Sequence, residues 1–360
     1  MTISQAQIAV FTAPYTVGVL EANLPSPGHN EALVQTLFSG ISHGTEMNVY
    51  RGNAPQWTKI FDPKLRLFLP VEQASSAPPS RGYWKPPDTH WGYPLAYGYQ
   101  NVGRIVAVGS GVTGLQEGEL VFSYEPHQTA YVALASSLIR LPHLSKPEYG
   151  VVYSNINTAY NGVLDSDIRL DDTVVIFGQG LIGLLVLQFV KRTAAKQVIV
   201  VDTVTQRREM GLRLGADQAL DPGSLDVARF VRELTDGRGA DVVIEVTGSY
   251  AALHEAMRTA APNTTVTAMS WYGGTGESLR LSDEFHHNRI TLKCSQVGGI
   301  GPDISATHSL DRRMQNVLDS FHYLQLETLL THCISFSEVS AAYEKVDRHP
   351  EEVIQVYLRY

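Results

Sequence analysis

Residues Val174 to Asp202, VVIFGQGLIGLLVLQFVKRTAAKQVIVVD, constrain the fold of this 360-residue chain more than any other stretch. The β-branched run Val174-Val175-Ile176-Phe177 has the length and type of a buried parallel strand. Gly178-Gln179-Gly180-Leu181-Ile182-Gly183 follows as a complete G-x-G-x-x-G. Leu184, Leu185, Leu187 and Val190 then recur at helical spacing, and a second strand, Val198 to Val201, ends at Asp202, nineteen residues past Gly183. In such a unit the first glycine permits a tight turn, the second lets backbone approach a pyrophosphate, and the third allows close helix–strand packing. The helix N-terminus presents N–H groups to the phosphates, with Leu181 and Ile182 in its first turn, and the terminal acid accepts from the ribose hydroxyls. The pattern predicts a dinucleotide site, and an acid at Asp202 repels a 2′-phosphate and so favours NAD over NADP. Arg207 and Arg208 lie beyond the acid, where cations could soften that preference, but they read better as solvated positions on the next helix.

A net charge of −8 and a pI near 5.8 argue against nucleic acid or an anionic membrane as partner. The N-terminus shows no basic region followed by an apolar core, and Val174 to Val190 is interrupted by three glycines and two glutamines. Only Cys294 and Cys333 are present, too few for a disulfide framework or a cysteine-rich zinc site. A cytoplasmic protein acting on a small molecule is expected.

Residues 1–150 carry short strands (Gln7–Phe11, Ala32–Ser39, Gly103–Val108, Glu119–Phe122, Ala130–Ala133) separated by turn residues, a pattern of a small, mostly β domain. Within it, Asn53 to Leu95 is long and rich in proline and aromatics, including Trp57, Trp84, Trp91, Phe61, Tyr83 and Tyr93. Such a loop in a compact domain is often a functional lid, and one with this content suits a bulky or hydrophobic substrate or a dimer contact. From residue 151 helices alternate with strands: helix Thr205–Leu214, helix Asp226–Thr235, strand Ala240–Glu245 before Thr247-Gly248, helix Tyr250–Ala260, strand Thr264–Met269 and strand Ile290–Ser295. This predicts an α/β chain with a doubly wound parallel sheet.

The segments SGISHGTEMNVYRG (39–52), YGYQNVGRIVAVGSGV (97–112), the glycine unit, GLRLGADQALDP (211–222), GADVVIEVTGS (239–249) and ISFSEVSAAYEKVDRHPEEVIQVYL (334–358) together resemble the medium-chain dehydrogenase/reductase superfamily of alcohol dehydrogenase type. Glu125-Pro126-His127-Gln128 and His286-His287-Asn288-Arg289 with Ser295-Gln296-Val297-Gly298 resemble its zinc-poor, bacteriochlorophyllide a dehydrogenase-like branch. The resemblance implies a GroES-like, mostly β catalytic domain (1–150) beside a Rossmann domain (151–290), with 291–360 completing the catalytic domain. It also implies an active site in the cleft between domains and a homodimer or homotetramer.

Zinc-dependent relatives place a cysteine where this chain has Ser42, a G-H-E segment where it has Gly98-Tyr99-Gln100, and a cysteine or acid where it has Ser154. Zinc takes Cys, His or carboxylate ligands. His43, His90 and His127 form no recognisable ligand spacing, and His286 and His287 are expected on opposite sides of a strand. No metal is therefore expected. The proton on the substrate oxygen then falls to a side chain. By the resemblance, Tyr99 and Ser42 face the cleft, with Tyr99 the favoured donor; His43 is placed to relay protons, Thr45 to bond substrate oxygen or ribose, and Glu46 to support the fold. Asn157 and Thr158 are expected to begin the helix under the nicotinamide, and Thr247 and Gly248 end a parallel strand where ligands bind. His127 reads as a residue ordering a local turn. The expected reaction is zinc-independent hydride transfer between NAD and a secondary alcohol or ketone. The alternatives are a zinc-free NAD(P)H-dependent double-bond reductase of enoyl or quinone type, and a nucleotide-binding protein that uses NAD without net redox turnover.

Overall fold

The computed structural model describes residues 3–62, 64–70, 92–142 and 144–360. Its strands and helices run in chain order β1 (Gln5–Ala13), β2 (Thr16–Asn23), β3 (Glu31–Gly40), α1 (Thr45–Tyr50), β4 (Lys59–Asp62), β5 (Leu67–Pro70), β6 (Leu95–Ala96), β7 (Asn101–Val108), β8 (Leu120–Ser123), β9 (Ala130–Leu134) and β10 (Ile139–Arg140). There follow α2 (Tyr153–Asp165), β11 (Thr173–Phe177), α3 (Leu181–Val190), β12 (Gln197–Val201), α4 (Thr205–Arg213), β13 (Gln218–Leu220), α5 (Val227–Leu234), β14 (Val242–Glu245), α6 (Tyr250–Thr259), β15 (Thr265–Ala268), β16 (Thr291–Cys294) and α7 (Leu310–Ser320). The chain ends with β17 (His332–Ser335), α8 (Val339–Arg348) and β18 (Val356–Arg359). Two compact units result: Met1–Tyr153 with Leu326–Tyr360, and Ser154–Gln325.

In the first unit β3 is the hub. It pairs with β7, β9 and β18, and the larger sheet reads β10-β8-β7-β3-β18-β17. Antiparallel pairing of Leu358 with Ser39 draws the end of the chain into the N-terminal sheet. The helices α1 and α8 close one core with Phe11, Met47, Tyr50, Val339, Tyr343 and Val356. The rings of Phe11, Tyr50 and Tyr343 meet at centroid distances of 5.2 to 5.9 Å, within the range in which aromatic pairs attract beyond simple burial. Of the long aromatic segment, β4 and β5 form a hairpin with Phe61 against Phe68. Trp57 packs on Tyr93 at 4.7 Å, whereas Tyr83, Trp84, His90 and Trp91 lie outside the described residues.

In the second unit six strands pair in parallel in the order β13-β12-β11-β14-β15-β16. Continuous burial of Thr173–Phe177 and Val198–Val201 follows, because helices cover both faces of such a sheet. Strand order proceeds one way from β11 through β12 to β13, and the other way through β14. The switch point therefore lies at the carboxyl ends of β11 and β14, where open α/β sheets bind ligands.

Two expectations need correction here. Residues 291–325 belong with the parallel sheet, not with the catalytic unit, because β16 pairs with β15 (Val266 with Leu292) and extends it. Arg313, on α7, ties the following segment down by donating to the Val297 carbonyl at 2.6 Å and the Gly299 carbonyl at 2.7 Å. His286 and His287 lie in a helical turn, rings 5.7 Å apart, and not across a strand. Among the described residues no helix is long and apolar enough to cross a membrane.

Candidate active site

The glycine turn after β11 is shaped by contact. Gly178 sits at φ +96°, a region L side chains rarely enter, and a Cβ there would lie 2.7 Å from Thr247 Cγ2. A Cβ on Gly183 would lie 1.8 Å from the Gly178 carbonyl oxygen, so α3 packs against the turn only because residue 183 has none. Over Gly180, which caps α3 with extended backbone and no side-chain cap, the space is open. The N–H groups of Leu181, Ile182 and Gly183 begin that helix and keep their donors for an anion.

Asp202 is buried at the end of β12. Its Oδ2 accepts the Gln179 N–H at 2.7 Å and its Oδ1 accepts the Val204 N–H at 2.8 Å, which fixes the carboxylate beside the glycine turn. Arg208 is not a solvated residue, as its sequence position suggested. It donates to the Asp202 carbonyl at 2.8 Å, to Thr205 Oγ1 at 3.0 Å and to Asp221 at 3.0 Å. At the switch point Thr247 is exposed and donates both its N–H and its hydroxyl to Glu245, which also accepts from Tyr272. Burial raises the Glu245 carboxyl, against these donors. Gly248 follows at φ +75°. Thr158 lies in the second turn of α2, not at its start, and its hydroxyl turns back to the Ser154 carbonyl at 2.9 Å.

A second polar cluster lies in the first unit. The Tyr99 hydroxyl donates to Ser42 Oγ at 2.5 Å, and Thr45 also hydrogen-bonds the phenol. Burial, with the Glu46 charge adding to it, pushes the Tyr99 phenol up to about 12, against its hydrogen bonds with Ser42 and Thr45. His43 accepts the Val356 N–H at Nε2, 3.4 Å away. Glu46 is fully buried and accepts from the Ser42 N–H (3.1 Å), His127 Nε2 (2.7 Å) and the Tyr343 hydroxyl. His127 is likewise fully buried, with Nδ1 2.6 Å from Ser39 Oγ, so it staples β3 to α1 and does more than order a local turn. The structure thus brings Tyr99, Ser42 and Thr45 together, while His43 points its Nε2 at β18.

The sequence profile of the zinc-binding dehydrogenase family matches residues 182–313. A D-guloside 3-dehydrogenase of Escherichia coli (strain K12) is 29% identical over 355 residues, covering 96% of this chain and 98% of that protein. An L-threonine 3-dehydrogenase of Pyrococcus abyssi (strain GE5 / Orsay) is 26% identical over 365 residues and 92% of each chain. The crystal structure of 2R,3R-butanediol dehydrogenase from Bacillus subtilis superposes with a TM-score of 0.76 at 19% identity over 99% of both chains. The chain is thus similar over nearly its whole length to medium-chain alcohol and sugar dehydrogenases, and it shares their fold.

Zinc is the metal its family description implies, and the residues present do not fit it. Where zinc-dependent superfamily members carry ligands, this chain has the Ser42 and Tyr99 hydroxyls, bonded to each other, and the Ser154 hydroxyl. Neutral hydroxyls are not zinc's donor set. Among the described residues, clusters of three or more His, Cys, Asp or Glu ligand atoms occur at His254, Asp283 and Glu284 and at His349, Glu351 and Glu352, neither involving positions 42, 99 or 154. A nicotinamide dinucleotide does fit the cradle of Gly180, Asp202 and the first turn of α3, since backbone donors, open space and a fixed carboxylate are all present.

The first unit also holds a titratable group to which the sequence reading gave no role. Burial pushes the Glu125 carboxyl up to about 7 from 4.5, against a 3.2 Å hydrogen bond from Gln128 Nε2. Between those values the folded chain binds more protons at this residue than the unfolded chain, so its contribution lowers stability as pH rises through the window. Glu125→Gln is expected to be more stable than the parent by roughly 2–3 kcal/mol at pH 8, and near parity at pH 4. Urea midpoints of both proteins at the two pH values check this. The resemblance drew attention to the segment Glu125-Pro126-His127-Gln128, but nothing in it marked the buried carboxyl, because that burial comes from packing rather than spacing.

Proposed function

We propose that this chain is a zinc-independent, NAD-dependent dehydrogenase acting on a secondary alcohol or its ketone. The observation that carries the reading is the Tyr99–Ser42 hydroxyl pair, 2.5 Å apart, at positions where zinc-dependent relatives carry metal ligands. Relatives named for dehydrogenation of a guloside, of threonine and of butanediol support a hydroxyl-bearing small molecule as substrate. Bound NAD supplies the acceptor of hydride in oxidation, and NADH the donor in reduction. The cradle residues Gly178, Gly180, Gly183 and Asp202 hold the dinucleotide, with Thr158, Thr247 and Gly248 as further contacts.

In ketone reduction, Tyr99 gives its phenolic proton to the oxygen as negative charge develops there. A phenol held near 12 stays protonated at neutral pH, as a donor must. The Ser42 hydroxyl holds the resulting phenolate by hydrogen bond, Thr45 steadies the oxygen and His43 exchanges the proton with solvent. In alcohol oxidation the same proton travels in reverse.

Asp202 supports NAD over NADP, and Arg208 is held by Asp221, Thr205 and the Asp202 carbonyl. The expected result is a kcat/KM for NADH at least about 100-fold above that for NADPH with a ketone substrate, corresponding to roughly 2.7 kcal/mol. Elemental analysis of active enzyme is expected to find well under one zinc per chain, with activity unchanged after chelation. One tightly bound zinc whose removal abolishes turnover would overturn the proposal. A strong NADPH preference would move it to double-bond reduction.

A further inference from the structure

The proposed reaction leaves one buried titratable cluster without a task. Glu46 on α1 and His127 between β8 and β9 are both fully buried. With a carboxylate facing Nε2, that nitrogen carries the proton, and Nδ1 accepts the Ser39 hydroxyl at 2.6 Å. Ser39 Oγ, its own proton spent, accepts from the Tyr360 phenol at 2.7 Å. All donors therefore point one way, from Tyr360 through Ser39 and His127 to Glu46, where the Tyr343 hydroxyl joins them. The other carboxylate oxygen takes the Ser42 N–H at 3.1 Å. The residue whose amide bonds Glu46 is thus the residue whose hydroxyl receives Tyr99.

We propose that Glu46, oriented by His127, is a positioning residue: its charge behind the Ser42 amide holds the Tyr99–Ser42 hydrogen bond with Tyr99 as the donor. In a dry interior a carboxylate acts over longer range than in water, and it disfavours a second negative charge on the neighbouring phenol. The rise in the Tyr99 phenol has the same sign. Tyr99 is faced by Ser42, Thr45 and Glu46 of the α1 region, by Tyr124 after β8 and by Tyr97 on its own segment, 6.4 Å ring to ring. Glu46 is faced by His127, Tyr343, Tyr97, Tyr99 and Tyr360.

This inference rests on the proposed role of Tyr99, so its test reads the phenol directly. In the full-length chain Tyr99 is replaced by 3,5-difluorotyrosine, whose greater acidity brings the titration into an accessible range, and ¹⁹F NMR follows its ionisation. Glu46→Gln keeps the shape and removes the charge. It is expected to lower the Tyr99 midpoint by about one pH unit, and to move the alkaline limb of kcat for ketone reduction down by the same amount with KM little changed. Tyr343→Phe removes a donor from the carboxylate, leaves its charge less compensated and is expected to move the midpoint the opposite way. Opposite shifts in the two variants support the inference; an unmoved midpoint in folded Glu46→Gln overturns it. Should Glu46→Gln not fold, an unmoved midpoint in Tyr343→Phe overturns it alone. Shifts in ionisation beside a fully active Tyr99→Phe would instead sink the role of Tyr99 and leave the coupling standing.

Discussion

Replacing Gly183 with alanine is expected to abolish measurable NAD binding and to lower the unfolding free energy by roughly 3 kcal/mol, at the upper end of overpacking costs. The added methyl carbon would lie 1.8 Å from the Gly178 carbonyl oxygen, which is backbone and cannot rotate away. Relief requires α3 to lift off the turn after β11, and that separates the helix N-terminus from the phosphate-binding turn. Gly180→Ala is the control, since a Cβ there meets nothing of the protein and its φ of −70° suits any residue. That variant is expected to unfold within about 0.5 kcal/mol of the parent and still to bind NAD at least about 10-fold more weakly, because the methyl occupies the space left for pyrophosphate. Calorimetric titration with NAD and urea unfolding of both variants separate the two effects. Equal stability and equal binding in all three proteins would remove the structural role assigned to the third glycine.

Tyr99→Phe is expected to lower kcat for ketone reduction by about 10²–10⁴-fold, the usual contribution of a positioned acid, with KM changed little. Phenylalanine keeps the ring packed and removes the hydroxyl that donates to Ser42 Oγ and bonds Thr45, so stability should change by about 1 kcal/mol. Ser42→Ala is expected to cost less activity, on the order of 10-fold, because the phenol retains its bond to Thr45. Steady-state rates with saturating NADH decide the matter. A Tyr99→Phe enzyme turning over at the parent rate would show that the proton leaves by another route.

What could be read from the chain depended on how local the cause was. The β11–α3–β12 unit is legible because strand, glycine turn, helix and acid are contiguous, and each needs a distinct residue type. Among the described residues seven strands escaped sequence reading, β2, β4, β5, β6, β10, β13 and β17. In β2 the alternation is blurred by exposure along most of its length, and β13 and β17 are only three and four residues long. The placement of 291–325 failed for a different reason: a short strand carries no mark of which sheet it will join, and β16 joined β15.

The polar cluster behind Tyr99 shows the same limit at the level of chemistry. The resemblance was enough to single out Tyr99, Ser42 and Thr45 as a group, with hydroxyls at positions where zinc-dependent relatives carry ligands. The partnership of Glu46 with His127 and Tyr343 spans 81 and 297 residues of sequence, and that of Ser39 with Tyr360 spans 321. Periodicity and motifs report forces between near neighbours along the chain. Burying a carboxylate needs donors from wherever the fold can supply them, and here that became possible only when β18 paired with β3 and α8 closed over α1. The sequence by itself determined the glycine turn with its terminal acid, and the hydroxyls at positions 42, 45 and 99. Tertiary structure decided the charge and hydrogen bonds that surround those hydroxyls, because desolvation and long-range pairing exist only in the folded chain.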